Sequence, residues 1–500
     1  MNGHRYTVET QAKFKGKFLL AGIIGLMIGF LVVLEPIYIH KIATRTPAFS
    51  LEGLPPFSGV LVIIGFLFLA RLLIATFKNA DRAQSDQIFY IGFFCTLFVS
   101  TFSRMGLRPT FIVVSTALAI FFIRGAMDGW INIIGTPTYL FMSIFFLTIL
   151  FSAFSPVAPS MNVMIMTFIF MVGFMVPFFF LVTLIRSRKQ YYTCLQYIIF
   201  GTLLSAVIGI IQTIIFRTTG KLMIYKQPGL EFATEVVQSP IGEMPRVSAL
   251  FTGAHTFGAT LGFVSIILLF YLLTPELYER RHRKYYAGAF LLTFTTLILT
   301  FTNMNLLTFM AATFLVFIIK KPRFRRVVVP LLIVGGILAI YFNLPGFIVT
   351  KLMEIKPGSI YFRIEAIQEG LDLTKKYPVT GTGLGMFGRE SYLLANPHNL
   401  SLWLSSQTGF FGVSAFWLFY CFILFRLLYY AIRSENVRDK TILYSFFVIL
   451  LMIFSNSLTD PLLTTKVTWF FLGMAEAAIC QLALRKGEKK SLSPEFGYVT

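Results

Sequence analysis

The sequence predicts an all-α, polytopic helical membrane protein with about fourteen transmembrane helices. Three observations lead to this prediction. Of the 500 residues, 56% are hydrophobic and only 13% are charged, and the mean hydropathy is +0.76. Apolar runs of about 17 to 25 residues recur along nearly the whole chain, which is the length that a helix needs to cross the hydrocarbon core. The 57 phenylalanines also exceed what a soluble core of this size requires.

The predicted spans are joined mostly by short connections. They divide into N-terminal helices over 1–194, a central unit over 195–425, and C-terminal helices with a tail over 426–500. The sequence shows no internal repeat of the kind that marks inverted-repeat transporters. The predicted spans lie at 18–34, 57–76, 88–103, 110–123, 136–154, 162–185, 195–216, 256–274, 287–302, 304–319, 327–342, 399–425, 441–458 and 467–484.

The net charge of +21 follows the orientation of these helices. With the N-terminus inside, most of the 43 Lys and Arg residues fall in segments predicted to be cytoplasmic, as the positive-inside rule requires. Both termini are therefore expected in the cytoplasm, and the charge gives nucleic-acid binding no separate support. The richest basic segments are "ERRHRK" (279–284), "KKPRFRR" (320–326) and "RKGEKK" (485–490).

Two predicted external segments, 217–255 and 343–398, are far longer than a connection between packed helices requires. We expect them to form a small cap outside the membrane. In the second, "SIYFRIEAIQEGLDLTKKY" (359–377) carries apolar residues at helical spacing with acids on the other side. This pattern is typical of a short amphipathic helix, lying along the membrane surface or against the bundle of spans.

Pro378 ends this helix, and "GTGLGMFG" (381–388) supplies a glycine-rich turn after it. No strand or βαβ unit precedes these glycines, so tight turning is favoured over a dinucleotide site. The backbone N–H groups of such a turn, including those of Gly383 and Gly385, are still able to help hold an anion.

External arginines and a histidine are the groups best suited to chemistry. Arg246, Arg363 and His398 carry most weight because each lies close to a predicted span in one of the long segments. Arginine offers a planar fork of donors that suits phosphate oxygens, and a neutral imidazole beside arginines suits a proton acceptor or a donor to an anion. Each residue alone has a plainer interpretation: a snorkelling arginine, or a helix cap within "NPHN" (396–399).

Other chemistries have less support. The external carboxylates show no D-x-D pair and no metal-ligand spacing, so no metal site is indicated, and no G-x-S-x-G elbow is present. Ionisable residues within the predicted spans are sparse, mainly Arg71 and Glu476. That scarcity counts against an ion-coupled pump without excluding one.

Three segments, in this order and separated by spans, resemble the O-antigen ligase and polymerase family of bacterial membrane glycosyltransferases. They are "RVSALFTGAHTFGATLGF" (246–263), "YFRIEAIQEGLDLTKKYPVTGTGLGMFG" (361–388) and "NPHNLSLWLSSQTGFFG" (396–412), and "SAVIGIIQ" (205–212) resembles the span before the family's first long loop. The resemblance covers roughly residues 195–425. "TNMN" (302–305) departs from the Ser-Arg-Gly-like stretch that many members carry, which puts an additional anion contact in doubt.

The resemblance implies a GT-C-like fold and an inverting, metal-independent, cofactor-free transfer of glycan from a polyprenyl diphosphate. The acceptor would be a glycan or a lipid-linked glycan, on the outer face of the bacterial cytoplasmic membrane, with membrane lipids and other polysaccharide assembly proteins as partners. By the family's matching positions, Arg246 and Arg363 would hold the diphosphate, and His398 would deprotonate the acceptor or contact the diphosphate. The other expected substrate-binding residues are Asn399, Arg389, Arg217, Gly383 and Gly385.

Alternatives remain open at this point. A transporter or flippase of a lipid-linked or anionic solute would use the same arginines only for binding. A purely structural partner of an envelope assembly complex is the weakest of the three readings, because the polar set is concentrated. The sequence names neither the sugar nor the acceptor, and it does not separate a polymerase from a ligase.

Overall fold

The computed structural model describes residues 136–155, 157, 175, 177–179, 181–183, 185–220, 236–239, 242–249, 251, 253–277, 282–341, 357–385, 387, 397–459 and 465–484. The four predicted spans before residue 136 lie outside this part of the chain, as does most of the span at 162–185.

Ten α-helices and one β-hairpin make up the described part. The hairpin pairs Val236 with Pro245 and Ser239 with Gly242 in antiparallel register. The elements are α1 (Thr138–Phe151), α2 (Arg188–Thr219), β1 (Val236–Ser239), β2 (Gly242–Pro245), α3 (Ala254–Leu272), α4 (Arg283–Leu299), α5 (Asn303–Lys320), α6 (Pro322–Tyr341), α7 (Pro357–Lys376), α8 (Leu400–Arg433), α9 (Val437–Ser457) and α10 (Lys466–Ala478), which continues as a π-helical stretch over Ile479–Leu484.

Nine of these ten helices coincide with predicted spans, and the tenth, α7, is the predicted amphipathic helix. Within the described residues, α2, α3, α5 and α8 are each long and apolar enough to cross a membrane. The chain is therefore a helical membrane protein, and the total of fourteen spans stays a prediction.

Two helices run well past the predicted span limits. The sequence places one span at 195–216, whereas α2 has 32 residues and ends only where Gly220 adopts a left-handed backbone with φ of 66°. The sequence ends another at residue 425, whereas α8 has 34 residues and reaches Arg433. Hydropathy marks where apolar residues stop, but a helix continues until its backbone hydrogen bonds are interrupted.

The centre of the bundle is α3, which packs against α2, α4, α5 and α9. Its residues are buried on nearly every side, and aromatic side chains fill much of the surrounding core. The ring of Phe263 on α3, for example, lies edge-on to that of Phe471 on α10, with centroids 4.9 Å apart. On the other side of the bundle, α8 packs against α1, α7 and α9.

The helix α8 is broken at Gly409, whose backbone has φ of 69° and ψ of −174°. A break frees carbonyl groups that an unbroken helix would use internally. The glycine-rich turn after α7 takes them, because Thr382 donates its N–H to Ser406 over 2.8 Å and Gly383 donates to Gln407 over 3.0 Å. The two segments therefore join through their backbones.

Ion pairs hold the bundle together away from this junction. Arg426 on α8 donates to Glu476 on α10, with 2.7 Å between Nη1 and Oε1, and Glu476 is fully buried. Arg188 on α2 pairs with the fully buried Asp439 on α9. Arg426 was not predicted as an intramembrane cation because the predicted span ended one residue before it. Arg71 lies outside the described residues.

Candidate functional site

Arg246 lies between strand β2 and helix α3, at the end of the bundle predicted to face outward. It is half-buried, and its Nε finds no hydrogen-bond partner among the described residues. Burial lowers the pKa of this guanidinium from its usual value, but an arginine remains charged at any physiological pH. Arg246 therefore places a partly desolvated positive charge beside the start of α3, where an anion would satisfy the Nε donor.

The backbone around Arg246 is anchored on both sides. Before it, Met244 and Pro245 of strand β2 are buried. After it, Val247 is fully buried and donates its N–H to the carbonyl of Leu299 at the end of α4 over 3.3 Å. Gly209 on α2 allows this approach, since a Cβ there would lie 2.7 Å from Cγ1 of Val247.

Arg363 lies in the second turn of α7, and its side chain is exposed. The same helix packs on α8 through Gly370, where a Cβ would lie 3.5 Å from Leu402 and 3.6 Å from Pro397. One turn later, the hydroxyl groups of Thr374 and Ser405 lie 2.9 Å apart. Because seven residues span about two helical turns, Arg363 lies on the same side of α7 as Gly370. It is about 10 Å from Gly370 along the helix axis, toward the N-terminus of α7.

This packing places the chain segment around His398 beside α7. His398 is half-buried and comes directly after Pro397, which contacts Gly370. Asn399 is the N-cap of α8, because its Oδ1 accepts the N–H of Leu402 over 3.1 Å. The capping interpretation of "NPHN" is thus confirmed for Asn399, whereas its role toward a substrate stays a prediction.

Asn399 also ties the start of α8 to the end of α9. Its Nδ2 donates to the carbonyl of Leu458 over 3.2 Å. A further chain of side-chain bonds continues across the bundle, since Thr308 on α5 donates to Asn456 on α9 over 3.1 Å, and Asn305 on α5 donates to the carbonyl of His255 on α3 over 2.7 Å. The ends of α3 and α8 that carry Arg246 and His398 are therefore linked through α5 and α9.

The "TNMN" segment forms a buried polar contact between α5 and α3. Asn305 is 1% exposed and donates to Thr302 as well as to His255. Gly258 on α3 permits the contact, because a Cβ there would lie 2.7 Å from Nδ2 of Asn305. The sequence analysis treated this segment only as a departure from a family pattern. The available signal was an asparagine inside an apolar span, where a polar group needs a partner.

The glycine-rich turn is tight, as predicted, since Gly381, Gly383 and Gly385 all have φ between 64° and 94°. Its N–H groups are already used. Gly383 donates to the carbonyl of Gln407 over 3.0 Å, and Gly385 donates to Oε1 of Gln407 over 2.6 Å. An anion at these two groups would have to compete with Gln407, so the assignment of the two glycines to substrate stays a prediction.

The remaining predicted residues are less informative. Arg217 is exposed at the end of α2, and its Nη1 makes a long contact, 3.5 Å, to the carbonyl of Glu243 in the hairpin. Arg389 lies outside the described residues.

No match to the chain is found among the curated proteins. Residues 288–417, however, match the model of the O-antigen ligase family. The matched segment begins in α4 and ends in α8, so that it includes Arg363, the glycine-rich turn and His398, whereas Arg246 precedes it. Residues 288–417 of this helical membrane protein therefore form a segment that is similar to the O-antigen ligase family.

Proposed function

We propose that this protein is an inverting, metal-independent glycosyltransferase that polymerises or ligates surface polysaccharide repeat units. The donor is a glycan linked to a polyprenyl diphosphate, and the acceptor is a glycan or a lipid-linked glycan. The observation that most supports this proposal is that the O-antigen ligase domain includes both Arg363 and His398. Within it, α7 packs against α8.

The chemistry of such a donor fits the two arginines. When the glycosidic bond breaks, the diphosphate leaving group gathers negative charge, and preorganised cations at a partly dry surface stabilise that charge. Arg246 meets this requirement through its half-buried guanidinium, whose Nε has no partner in the described part of the chain. The side chain of Arg363 is exposed, and we take it to contact a substrate that approaches from the membrane surface. Both are proposed to hold the diphosphate.

His398 takes one of two roles in this proposal. It removes the proton from the acceptor hydroxyl, or it donates a hydrogen bond to the diphosphate. Asn399 positions it by fixing the first turn of α8. Arg217, Arg389, Gly383 and Gly385 complete the proposed substrate-binding set.

The proposed location is the outer face of the bacterial cytoplasmic membrane, with both termini in the cytoplasm and a GT-C-like arrangement of spans. A lipid-linked donor keeps its tail in the bilayer and its diphosphate at the interface. Reactive groups must therefore lie at the ends of spans, where Arg246 and His398 are found.

The test is glycan transfer by the purified full chain in nanodiscs, with a short polyprenyl-diphosphate oligosaccharide and EDTA present. Arg246→Ala and His398→Ala are compared with the parent protein. Lys375→Ala serves as control, since Lys375 is an exposed cation that pairs with the similarly exposed Asp372. We expect transfer in EDTA by the parent and the control, and its loss in both site variants.

Two results would contradict the proposal in different ways. Full activity of both site variants would overturn the residue assignment while leaving a transferase. Movement of the intact lipid-linked glycan across the bilayer, without any product bond, would instead identify a flippase. Thiol accessibility of cysteines introduced along α3 and α8 provides a second check, because a transporter requires a polar path that reaches the cytoplasmic side.

A further inference from the structure

We propose that Gln212 on α2 is a positioning residue for Arg246, acting through the backbone of Ala249. This inference rests on the proposed function, because it takes Arg246 to be a diphosphate contact. It adds to the site a residue that lies outside the matched family domain.

Gln212 makes a two-point contact with one residue. Its Nε2 donates to the carbonyl of Ala249 over 3.0 Å, and its Oε1 accepts the N–H of Ala249 over 2.9 Å. Both residues are buried, at 8% and 5% exposure, so water does not compete effectively with either bond. A primary amide is the neutral side chain that offers a donor and an acceptor side by side in this way.

The contact supports an unfavourable backbone conformation. Ala249 has φ of 47°, a left-handed geometry that the Cβ of an alanine disfavours. Phe251 donates its N–H to the carbonyl of Ser248 over 2.8 Å, so Ala249 lies inside a closed turn. The paired bonds from Gln212 offset the cost of that turn, which would otherwise relax.

The turn determines where Arg246 points. Val247 is held by Leu299, and Ala249 is held by Gln212, so the segment directly after Arg246 is attached to two helices. Among the described residues, Nε of Arg246 has no hydrogen-bond partner. In this proposal the orientation of Arg246 is set by the backbone beside it, which is held by Leu299 and by Gln212.

The test uses the full chain in detergent and farnesyl diphosphate as the probe, with binding measured by calorimetry. We expect Arg246→Ala to weaken binding about thirtyfold and Gln212→Leu about tenfold, the range for loss or misplacement of a charge-assisted hydrogen bond. Gln190→Leu, at the opposite end of the same helix, removes an amide whose Oε1 accepts the backbone N–H of Arg186 over 2.8 Å, and it should not change the affinity.

A double-mutant cycle separates positioning from general stability. If Gln212 acts through Arg246, then adding Gln212→Leu to Arg246→Ala changes binding less than about twofold. Ala249→Gly should restore part of the affinity lost in Gln212→Leu, because glycine takes the left-handed conformation without steric cost. Thermal unfolding of every variant shows whether it is folded.

The outcomes distinguish the two proposals. Equal affinity of Gln212→Leu and the parent, with Arg246→Ala weakened, overturns the positioning role alone. An equal loss from Gln212→Leu with and without Arg246 overturns it as well, because the effect would then be merely structural. Unchanged binding by Arg246→Ala overturns the diphosphate assignment in the proposed function and removes the basis of this inference.

Discussion

The backbone of Gly409 in α8 packs against the carbonyl oxygen of Val379, just before the glycine-rich turn, at a distance that leaves no room for a side chain. At the same point Phe410 donates its N–H to the carbonyl of Pro378 over 2.7 Å. The left-handed φ of Gly409 makes the break in α8, and the break provides the carbonyls that hold the turn.

Gly409→Ala should therefore unfold or strongly destabilise the junction. A φ of 69° with a ψ of −174° is a conformation essentially confined to glycine, which costs another residue about 1 to 3 kcal/mol, and the clash with Val379 adds to it. Thermal unfolding in detergent measures the effect. Gly288→Ala on α4 is the matched control, because nothing lies within 4 Å of a Cβ there, and alanine favours a helix. Equal melting temperatures for the two variants would contradict this account of the break.

Arg363→Ala should lower the rate of glycan transfer about 100- to 1,000-fold if its guanidinium stabilises the leaving diphosphate. Arg363→Lys keeps the charge but loses the planar fork, so its rate should fall between those of the parent protein and Arg363→Ala. For both variants, kcat and the KM for the donor are measured separately. Lys375→Ala on the same helix should leave the rate unchanged. A normal rate for Arg363→Ala would remove this residue from the proposed site.

Asn399 carries two separable bonds, one that caps α8 and one that reaches Leu458. Asn399→Ala loses both, and the missing cap should cost about 0.5 to 2 kcal/mol of stability. Asn399→Asp keeps the capping acceptor and loses only the donor to Leu458. We expect the aspartate variant to retain stability and the alanine variant to melt earlier. The transfer rate of Asn399→Asp then shows whether the bond to Leu458 matters for His398.

The buried pair of Arg426 and Glu476 should behave as a unit. Arg426→Met leaves the carboxylate of Glu476 buried and uncompensated, at a cost of about 3 to 5 kcal/mol. Arg426→Met combined with Glu476→Leu removes both charges and should recover most of that loss. Thermal unfolding is again the measurement, and Lys375→Met, in the exposed pair with Asp372, should be neutral. No difference between the single and the double variant would show that the charges do not interact.

The sequence predicted the site in part. Hydropathy located the span that corresponds to α8, and helical periodicity located α7, because both patterns repeat within one segment. The packing of Gly370 on Pro397 joins two segments that the family resemblance had already ordered along the chain. The bond of Asn305, by contrast, was not predicted, since its partner His255 lies 50 residues away.

By itself, the sequence determined that this is a helical membrane protein with an amphipathic helix and a tight glycine turn outside its spans, since apolar runs, periodicity and glycine act locally. Only the tertiary structure decided which polar groups meet. Gln212 contacts Ala249 across 37 residues, Arg426 meets Glu476 across 50, and Asn399 reaches Leu458 across 59. Such contacts leave no local periodicity, because they arise when helices pack and each buried polar group must find a partner.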